Sequence, residues 1–90
     1  TQAKPLEHIN PAPLYPRLAQ RKGWEGIVYL NVSINPLGTV NNVQIKKSSG
    51  YSILDIAAVK AIREWKFMPA AIDDRKVSSA IVLPVEFQLK

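Results

Sequence analysis

Few side chains in this sequence could perform chemistry, and their spacing argues against an active site. The six serines have only His8 as a possible base, and a nucleophilic serine needs a base that a third group holds in place. The carboxylates that could pair for acid–base work are scattered along the chain: Glu25, Asp55, Asp73, Asp74 and Glu86. We therefore expect no enzymatic activity and no catalytic residue.

Metal and cofactor sites are not expected either. The chain has no cysteine, and a single histidine cannot form a metal cluster alone. The segment Asn35-Pro36-Leu37-Gly38 is not a phosphate-binding loop, because it lacks the repeated glycines and the Lys-Ser/Thr pair that follows them. Its proline and glycine instead predict a tight turn.

The chemistry that remains is main-chain hydrogen bonding near the C-terminal end. Residues Ala80 to Leu89 alternate as a β-strand, yet they include Pro84, which has no N–H to donate. A proline inside a strand favours the edge of a sheet, where unpaired backbone groups can bind a strand from another chain. We therefore predict a partner-binding edge strand that contains Ile81, Val82, Leu83, Pro84, Val85, Glu86, Phe87, Gln88 and Leu89.

A second candidate for partner binding lies before the first helix. The Tyr15-Pro16 step follows a proline-containing approach, and it fits two interpretations. Pro16 suits the first position of a helix, and the same step suits a docking surface for an extended peptide. The candidate residues are Ala12, Pro13, Leu14, Tyr15, Pro16 and Arg17.

The N-terminal half of the chain predicts a short helix and a hairpin. Tyr15 to Gly23 has the composition of a two-turn helix that ends at glycine. Gly26 to Asn35 and Thr39 to Ser48 alternate as two strands around the tight turn. The apolar positions change parity in the second strand, which predicts a bulge near Asn41-Asn42.

The C-terminal half predicts a longer helix and the last strand. Apolar residues recur at helical spacing from Tyr51 to Phe67, with Ser52 as the N-cap and Pro69 ending the helix. Trp65 and Phe67 are expected in the core, whereas Trp24 fits either burial or a partly exposed contact. Ala70 to Ser79 is predicted to be a polar loop.

The predicted fold class is α+β, with a three-stranded antiparallel or mixed sheet and the main helix on one face. A right-handed crossover places the third strand beside the first, which gives the strand order 2-1-3. Residues 1–14 hold three of the seven prolines and predict the end of an extended linker, which leaves residues 15–90 as the domain. The N-terminus has no methionine and no signal-peptide core, so we expect an excised fragment, in which any anchor or linker would lie upstream.

Charge limits the possible partners only loosely. The net charge of +5 favours either solubility or the binding of an anionic partner. The basic residues are dispersed, and no basic-aromatic consensus of an RNA-binding sheet occurs, so we expect no nucleic-acid ligand. A small basic nucleic-acid-binding domain is the weaker alternative, and it would need exposed aromatic residues such as Tyr29 on the sheet.

Taken in order, several segments resemble the TonB C-terminal domain family. They are Pro13-Leu14-Tyr15-Pro16, residues 25–32, residues 35–40, Val43-Gln44-Ile45, residues 57–70 and residues 82–87. Each segment is weak alone, but their order and spacing are specific. One departure is Ala12, since many members carry glutamine at that place before the Tyr-Pro step.

The resemblance implies a periplasmic, receptor-binding module of an energy transducer anchored in the inner membrane of a Gram-negative bacterium. In this family, ExbB- and ExbD-like proteins use the proton-motive force, and the C-terminal domain grips the TonB box of an outer-membrane receptor by strand addition. The nutrients would be siderophores, haem or cobalamin. A paralogue that serves a cell-envelope assembly is an open alternative, and the exposed strand could also form a homodimer.

Overall fold

A computed structural model describes residues 1–6 and 9–89. The elements in chain order are β1 (Lys4–Pro5), α1 (Arg17–Lys22), β2 (Gly26–Ile34), β3 (Val40–Lys47), α2 (Ser52–Arg63), β4 (Phe67–Met68), β5 (Ala70–Ile72), β6 (Arg75–Val77) and β7 (Ser79–Phe87). His8, which we considered as a base or metal ligand, lies outside the described residues. Within the described ranges, no helix is long and apolar enough to cross a membrane.

The main sheet has three strands in the order β3-β2-β7, and both neighbouring pairs are antiparallel. Val28, Leu30, Val32 and Ile34 point from β2 to one face and are all 0% exposed. Helix α2 packs on that face, where it contacts β3 and β2. The predicted α+β class and the strand order 2-1-3 are therefore confirmed.

The hairpin of β2 and β3 contains the bulge that the change of parity predicted. The pairing skips Asn41, so that Val40 and Val43 both reach the core side of the sheet. The pairing also skips Lys46, and no change of apolar parity in the sequence marks that second irregularity.

Helix α2 ends at Arg63, so the predicted end at Phe67 is wrong. Pro69 disfavours helical backbone at Met68, and the chain is already extended there. The N–H of Phe67 donates to the carbonyl of Gly38 (2.8 Å), which ties this segment to the turn between β2 and β3. Tertiary hydrogen bonds therefore replace the last turn that the apolar spacing alone would allow.

The start of α2 also differs from the prediction, because Tyr51 and not Ser52 is the N-cap. The carboxylate of Asp55 turns back to the end of β3, where the N–H and hydroxyl of Ser49 donate to it (2.9 and 2.7 Å) and the hydroxyl of Ser48 also donates. Burial alone would raise the pKa of Asp55, but these hydrogen bonds outweigh burial and hold the pKa below its ordinary value. Asp55 thus fastens the helix to the sheet.

The predicted loop from Ala70 to Ser79 is wrong, because β5 and β6 form a small hairpin there. Its two turn residues, Asp73 and Asp74, have φ angles of 49° and 64°. Positive φ at both central positions is typical of the tight hairpin turn that matches strand twist, and aspartate tolerates it. The sequence did indicate a solvated turn at this acidic pair, but it did not indicate the two short strands on either side.

The N-terminal residues pair with the segment that follows α2. Lys4 lies opposite Met68, and Thr1 and Ala71 exchange two hydrogen bonds of 2.7 and 3.0 Å. Further along, the Asn10 amide both donates to and accepts from the backbone of Lys66 (2.8 Å each). We call residues 1–6 the N-terminal strap; the division between linker and domain at residue 14 stays a prediction.

The aromatic residues sit around the margin of the core. Phe67 is buried, as predicted, whereas Trp65 is only partly buried and donates its indole N–H to the carbonyl of Pro11 (2.8 Å). Trp24 is partly buried and stacks on Tyr51, with ring centroids 4.8 Å apart. The open alternative for Trp24 is thus resolved as a half-exposed stacking contact.

The turn at Gly38 allows a specific stability prediction. A Cβ atom at Gly38 would lie 2.2 Å from the carbonyl oxygen of Phe67, whereas one at Gly50 would meet no atom of the described residues within 4 Å. Both glycines have positive φ, so Gly50→Ala should cost only the strain of that backbone, about 1–2 kcal/mol. Gly38→Ala should cost about 1–3 kcal/mol more in urea unfolding because of the clash. Equal costs would contradict the contact with Phe67.

Asp55 predicts a pH-dependent contribution to stability. Because the folded-state pKa lies below the ordinary value of 3.8, the stabilisation is present above that pH and is lost as pH falls through the folded-state pKa. Asp55→Asn should lower the free energy of unfolding by about 1–3 kcal/mol at neutral pH and by less in acid. The control is Asp73→Asn at the exposed turn, which should change little. A difference that persists unchanged to pH 2 would contradict the role of the carboxylate.

Candidate functional site

The free side of β7 is the outstanding feature of the molecule. β7 is an end strand of the main sheet, with β2 on one side. In the described ranges, no backbone hydrogen bond joins the opposite side of β7 to any other segment. This end of the sheet therefore offers a line of main-chain groups to another chain.

The direction of those groups follows from β2. The N–H of Asn35 donates to the carbonyl of Thr39, so odd-numbered residues of β2 face β3. Backbone groups alternate sides along a strand, so the even-numbered residues of β2 face β7. Their partners in β7 are the odd-numbered residues, from Ser79 to Phe87. In agreement, the N–H of Leu89 points toward the β2 side, where it donates to the carboxylate of Glu25 (2.6 Å).

The even-numbered residues of β7 consequently face outward. Ala80, Val82 and Glu86 present both N–H and C=O on the free side, and Pro84 presents only C=O. Their side chains lie on the exposed face of the sheet, where Pro84 lies opposite Tyr29 and Val82 is 46% exposed. The edge is thus accessible, with one donor missing in its row.

The residues predicted as the edge-strand site therefore divide into three sets. Ile81, Leu83, Val85 and Phe87 place their side chains in the core, and their backbone groups face β2. Gln88 and Leu89 lie beyond the end of β7. Among the predicted set, the residues with free main-chain groups are Val82, Pro84 and Glu86, and the structure adds Ala80.

Tyr15 connects the second predicted segment to β7. Its ring meets that of Phe87 edge-on, with centroids 5.3 Å apart, at the last residue of the strand. Its hydroxyl donates to the carbonyl of Trp24. Burial and, to a smaller extent, the charge of Glu25 raise the pKa of Tyr15. Tyr15 therefore braces the C-terminal end of the edge.

The rest of the Tyr-Pro segment lies elsewhere. Ala12, Leu14 and Pro16 line a shallow groove against the outer side of α2, next to Ile56 and Lys60. Leu14 is 83% exposed. The structure thus brings Tyr15 to β7 and leaves its neighbours beside the helix. Alternation and proline content could not distinguish these positions, because the distinction depends on how the segment crosses α2.

A second groove runs beside the first half of the free edge. It has a volume of about 620 Å³ and lies between the strap, the β5–β6 hairpin and residues 77–82. The hydroxyl oxygen of Ser79 is buried there and has no hydrogen-bond partner among the described residues. The sequence did not reveal this groove, because the groove depends on the hairpin that we interpreted as a loop.

The groups available for binding at this site are main-chain groups and apolar surface rather than ligating side chains. In the part of the chain that the structure describes, no group of three or more His, Cys, Asp or Glu side chains could hold a metal ion. What the arrangement can do is pair with an extended segment through hydrogen bonds along β7.

The sequence of this chain matches a family model and individual known proteins. Residues 11–89 match the family model described as the Gram-negative bacterial TonB protein C-terminal. Protein tonB2 of Pseudomonas aeruginosa is 46% identical over 80 residues, which is 89% of this chain and 30% of that protein. Protein TonB of Vibrio cholerae serotype O1 is 37% identical over 87% of this chain and 32% of that protein. The chain thus spans about a third of the length of these relatives.

Solved structures agree with the sequence relatives. The solution NMR structure of the Pseudomonas aeruginosa TonB CTD has a TM-score of 0.80 and 27% identity, and the match covers 100% of this chain and 89% of that one. The Helicobacter pylori TonB-CTD has a TM-score of 0.69 and 29% identity, with 87% and 82% covered. Since the family model matches nearly the whole chain and the fold agrees, the chain belongs to the TonB C-terminal domain family.

Proposed function

We propose that this chain is the receptor-binding domain of a TonB-type energy transducer, and that it binds the TonB box of an outer-membrane receptor by strand addition to β7. Force from the inner membrane would then reach the receptor through this added strand. The domain acts in the periplasm and needs no catalytic group, because its task is to grip and transmit.

The observation that carries the proposal is the free side of β7. Ala80, Val82 and Glu86 offer both hydrogen-bonding groups there, on a strand whose other side is fixed by nine residue pairs with β2. A strand supported in this way is already extended, so an incoming segment loses its own conformational freedom but does not have to order the binding surface. Main-chain hydrogen bonds would supply affinity, and neighbouring surfaces would supply specificity.

The surroundings of the edge favour a peptide with small or apolar side chains. The groove beside residues 77–82 is lined largely by alanine, serine, valine and isoleucine. Tyr15 stands at the other end against Phe87, where it could contact the terminal part of the added strand. The polar side chain of Glu86 lies on the exposed face, and we expect it to influence which receptor the domain binds.

Membership of the family supports a proposal for the wider assembly. We infer an upstream anchor in the inner membrane, a complex with ExbB- and ExbD-like proteins, and receptors that import siderophores, haem or cobalamin. The same edge could pair with a second copy of the chain when no receptor is bound.

The proposal predicts a specific pattern in an NMR titration with a peptide that carries a receptor's TonB box. The amides of Ala80, Val82 and Glu86 should shift most and become protected from exchange, because they gain hydrogen bonds. Tyr15 should shift less, since it lies at the end of the strand. Shifts confined to Ile56, Lys60 and the outer side of α2 would contradict strand addition.

N-methylated peptides provide a matched control for that titration. Methylation of alternate peptide amides that face β7 should abolish binding, because each removes a donor from the shared ladder. Methylation of the other alternate amides should leave binding nearly unchanged. Equal effects of the two methylation patterns would show that the peptide binds through side chains and not as an added strand.

A further inference from the structure

We propose that Pro84 makes the free edge of β7 discriminate between a partner's strand and a second copy of this chain. Pro84 disfavours pairing with a second copy of the chain, and only the comparison with peptide binding rests on the proposed function. This discrimination follows from the position of one missing donor in the row of outward-facing backbone groups.

Pro84 lies near the middle of β7, between Val82 and Glu86 on the free side. Its ring replaces the N–H that an incoming carbonyl would otherwise find there. The hydrogen bonds to β2 are unaffected, because the residues that bond to β2 are the odd-numbered ones. The proline therefore weakens the free side of the strand and leaves the folded side intact.

A peptide that adds to this edge loses one hydrogen bond. The carbonyl that would accept from residue 84 remains with water, while the donors of Ala80, Val82 and Glu86 are still available. The incoming strand has its own complete set of N–H groups, and one of these can still donate to the carbonyl of Pro84. The cost to a heterologous partner is therefore a single bond.

Two copies of this chain would lose twice as much. Identical edges meet most readily as an antiparallel pair about a two-fold axis. Each copy then brings its own Pro84, so two donors are missing in every register in which both prolines lie within the overlap. When the two prolines lie opposite each other, that pair has no donor at all. Symmetry thus doubles the penalty for self-pairing.

The size of this discrimination follows from the net value of a hydrogen bond. One lost bond weakens association by about two- to tenfold, so two lost bonds weaken it by about five- to a hundredfold. The ratio between peptide binding and self-pairing therefore shifts in favour of the peptide. The side chain of Pro84 adds no burial that would confuse the comparison, because it is exposed on the face beside Tyr29.

The test compares the wild-type chain with Pro84→Val, which restores the donor and keeps a side chain suited to a strand. Sedimentation from micromolar to millimolar concentration measures self-association, and calorimetric titration with a TonB-box peptide measures binding. We expect the dimer association constant to rise about five- to a hundredfold and the peptide association constant about two- to tenfold. Pro84→Ala restores the same N–H with a smaller side chain and must change both constants in the same direction.

The matched control moves the proline by two positions along the same side of the strand. The double variant Val82→Pro/Pro84→Val has the same composition as the wild type and again lacks one outward donor. Its dimer constant should return to near the wild-type value. A dimer association constant that stays high in this double variant would overturn the inference. The inference would also be overturned if, in Pro84→Val, the dimer association constant rises no more than the peptide association constant.

The two measurements, self-association and peptide binding, distinguish this inference from the proposed function. If self-association rises as expected but no variant binds the peptide, the receptor proposal fails and the penalty that Pro84 imposes on self-pairing stands. If the peptide binds but self-association is unchanged up to millimolar concentration in both Pro84→Val and Pro84→Ala, the role of Pro84 is wrong and the receptor proposal stands.

Discussion

The alternation of backbone groups along β2 and β7 is the constraint on which this structure depends. Nine residue pairs lock β7 to β2, and every second residue of β7 is used in that ladder. The residues between them must then point their N–H and C=O groups away from the sheet. One register therefore fixes both the buried core and the exposed binding edge, because core-facing side chains belong to the residues that pair inward.

The remaining elements hold this edge open. The N-terminal strap pairs with the segment after α2 and not with β7, and the β5–β6 hairpin turns back beside the start of β7 without bonding to it. Tyr15 contacts Phe87 through its ring and bonds to the carbonyl of Trp24, so it too leaves the β7 backbone free. Within the described residues, the fold thus surrounds the edge with surfaces but occupies none of the outward-facing hydrogen-bonding groups of β7.

The sequence predicted those features that depend on local pattern. Period-two alternation identified β2 and β7, the change of parity identified the bulge at Asn41, and Pro84 identified the edge. The features it missed depend on contacts between distant segments. The hydrogen bond from Phe67 to Gly38 ends α2 early, and the two positive φ angles at Asp73 and Asp74 make a hairpin of what looked like a loop.

The candidate site was predicted as a continuous run of residues, and the structure reduces it to alternate positions. We did not assign this parity from the sequence, although Pro84 carries the signal, because a proline in an edge strand has its N–H side toward solvent. The hydrogen bond from Asn35 to Thr39 supplies that information. Pro84 therefore not only marks the edge but also affects which partner can pair with it.

Amide hydrogen exchange of the free chain at low micromolar concentration tests this central point most directly. The amides of Ile81, Leu83 and Val85 should exchange slowly because they donate to β2, whereas those of Val82 and Glu86 should exchange as fast as exposed amides. Equal protection of neighbouring residues along β7 would contradict the free edge, and with it the binding mode proposed for this domain.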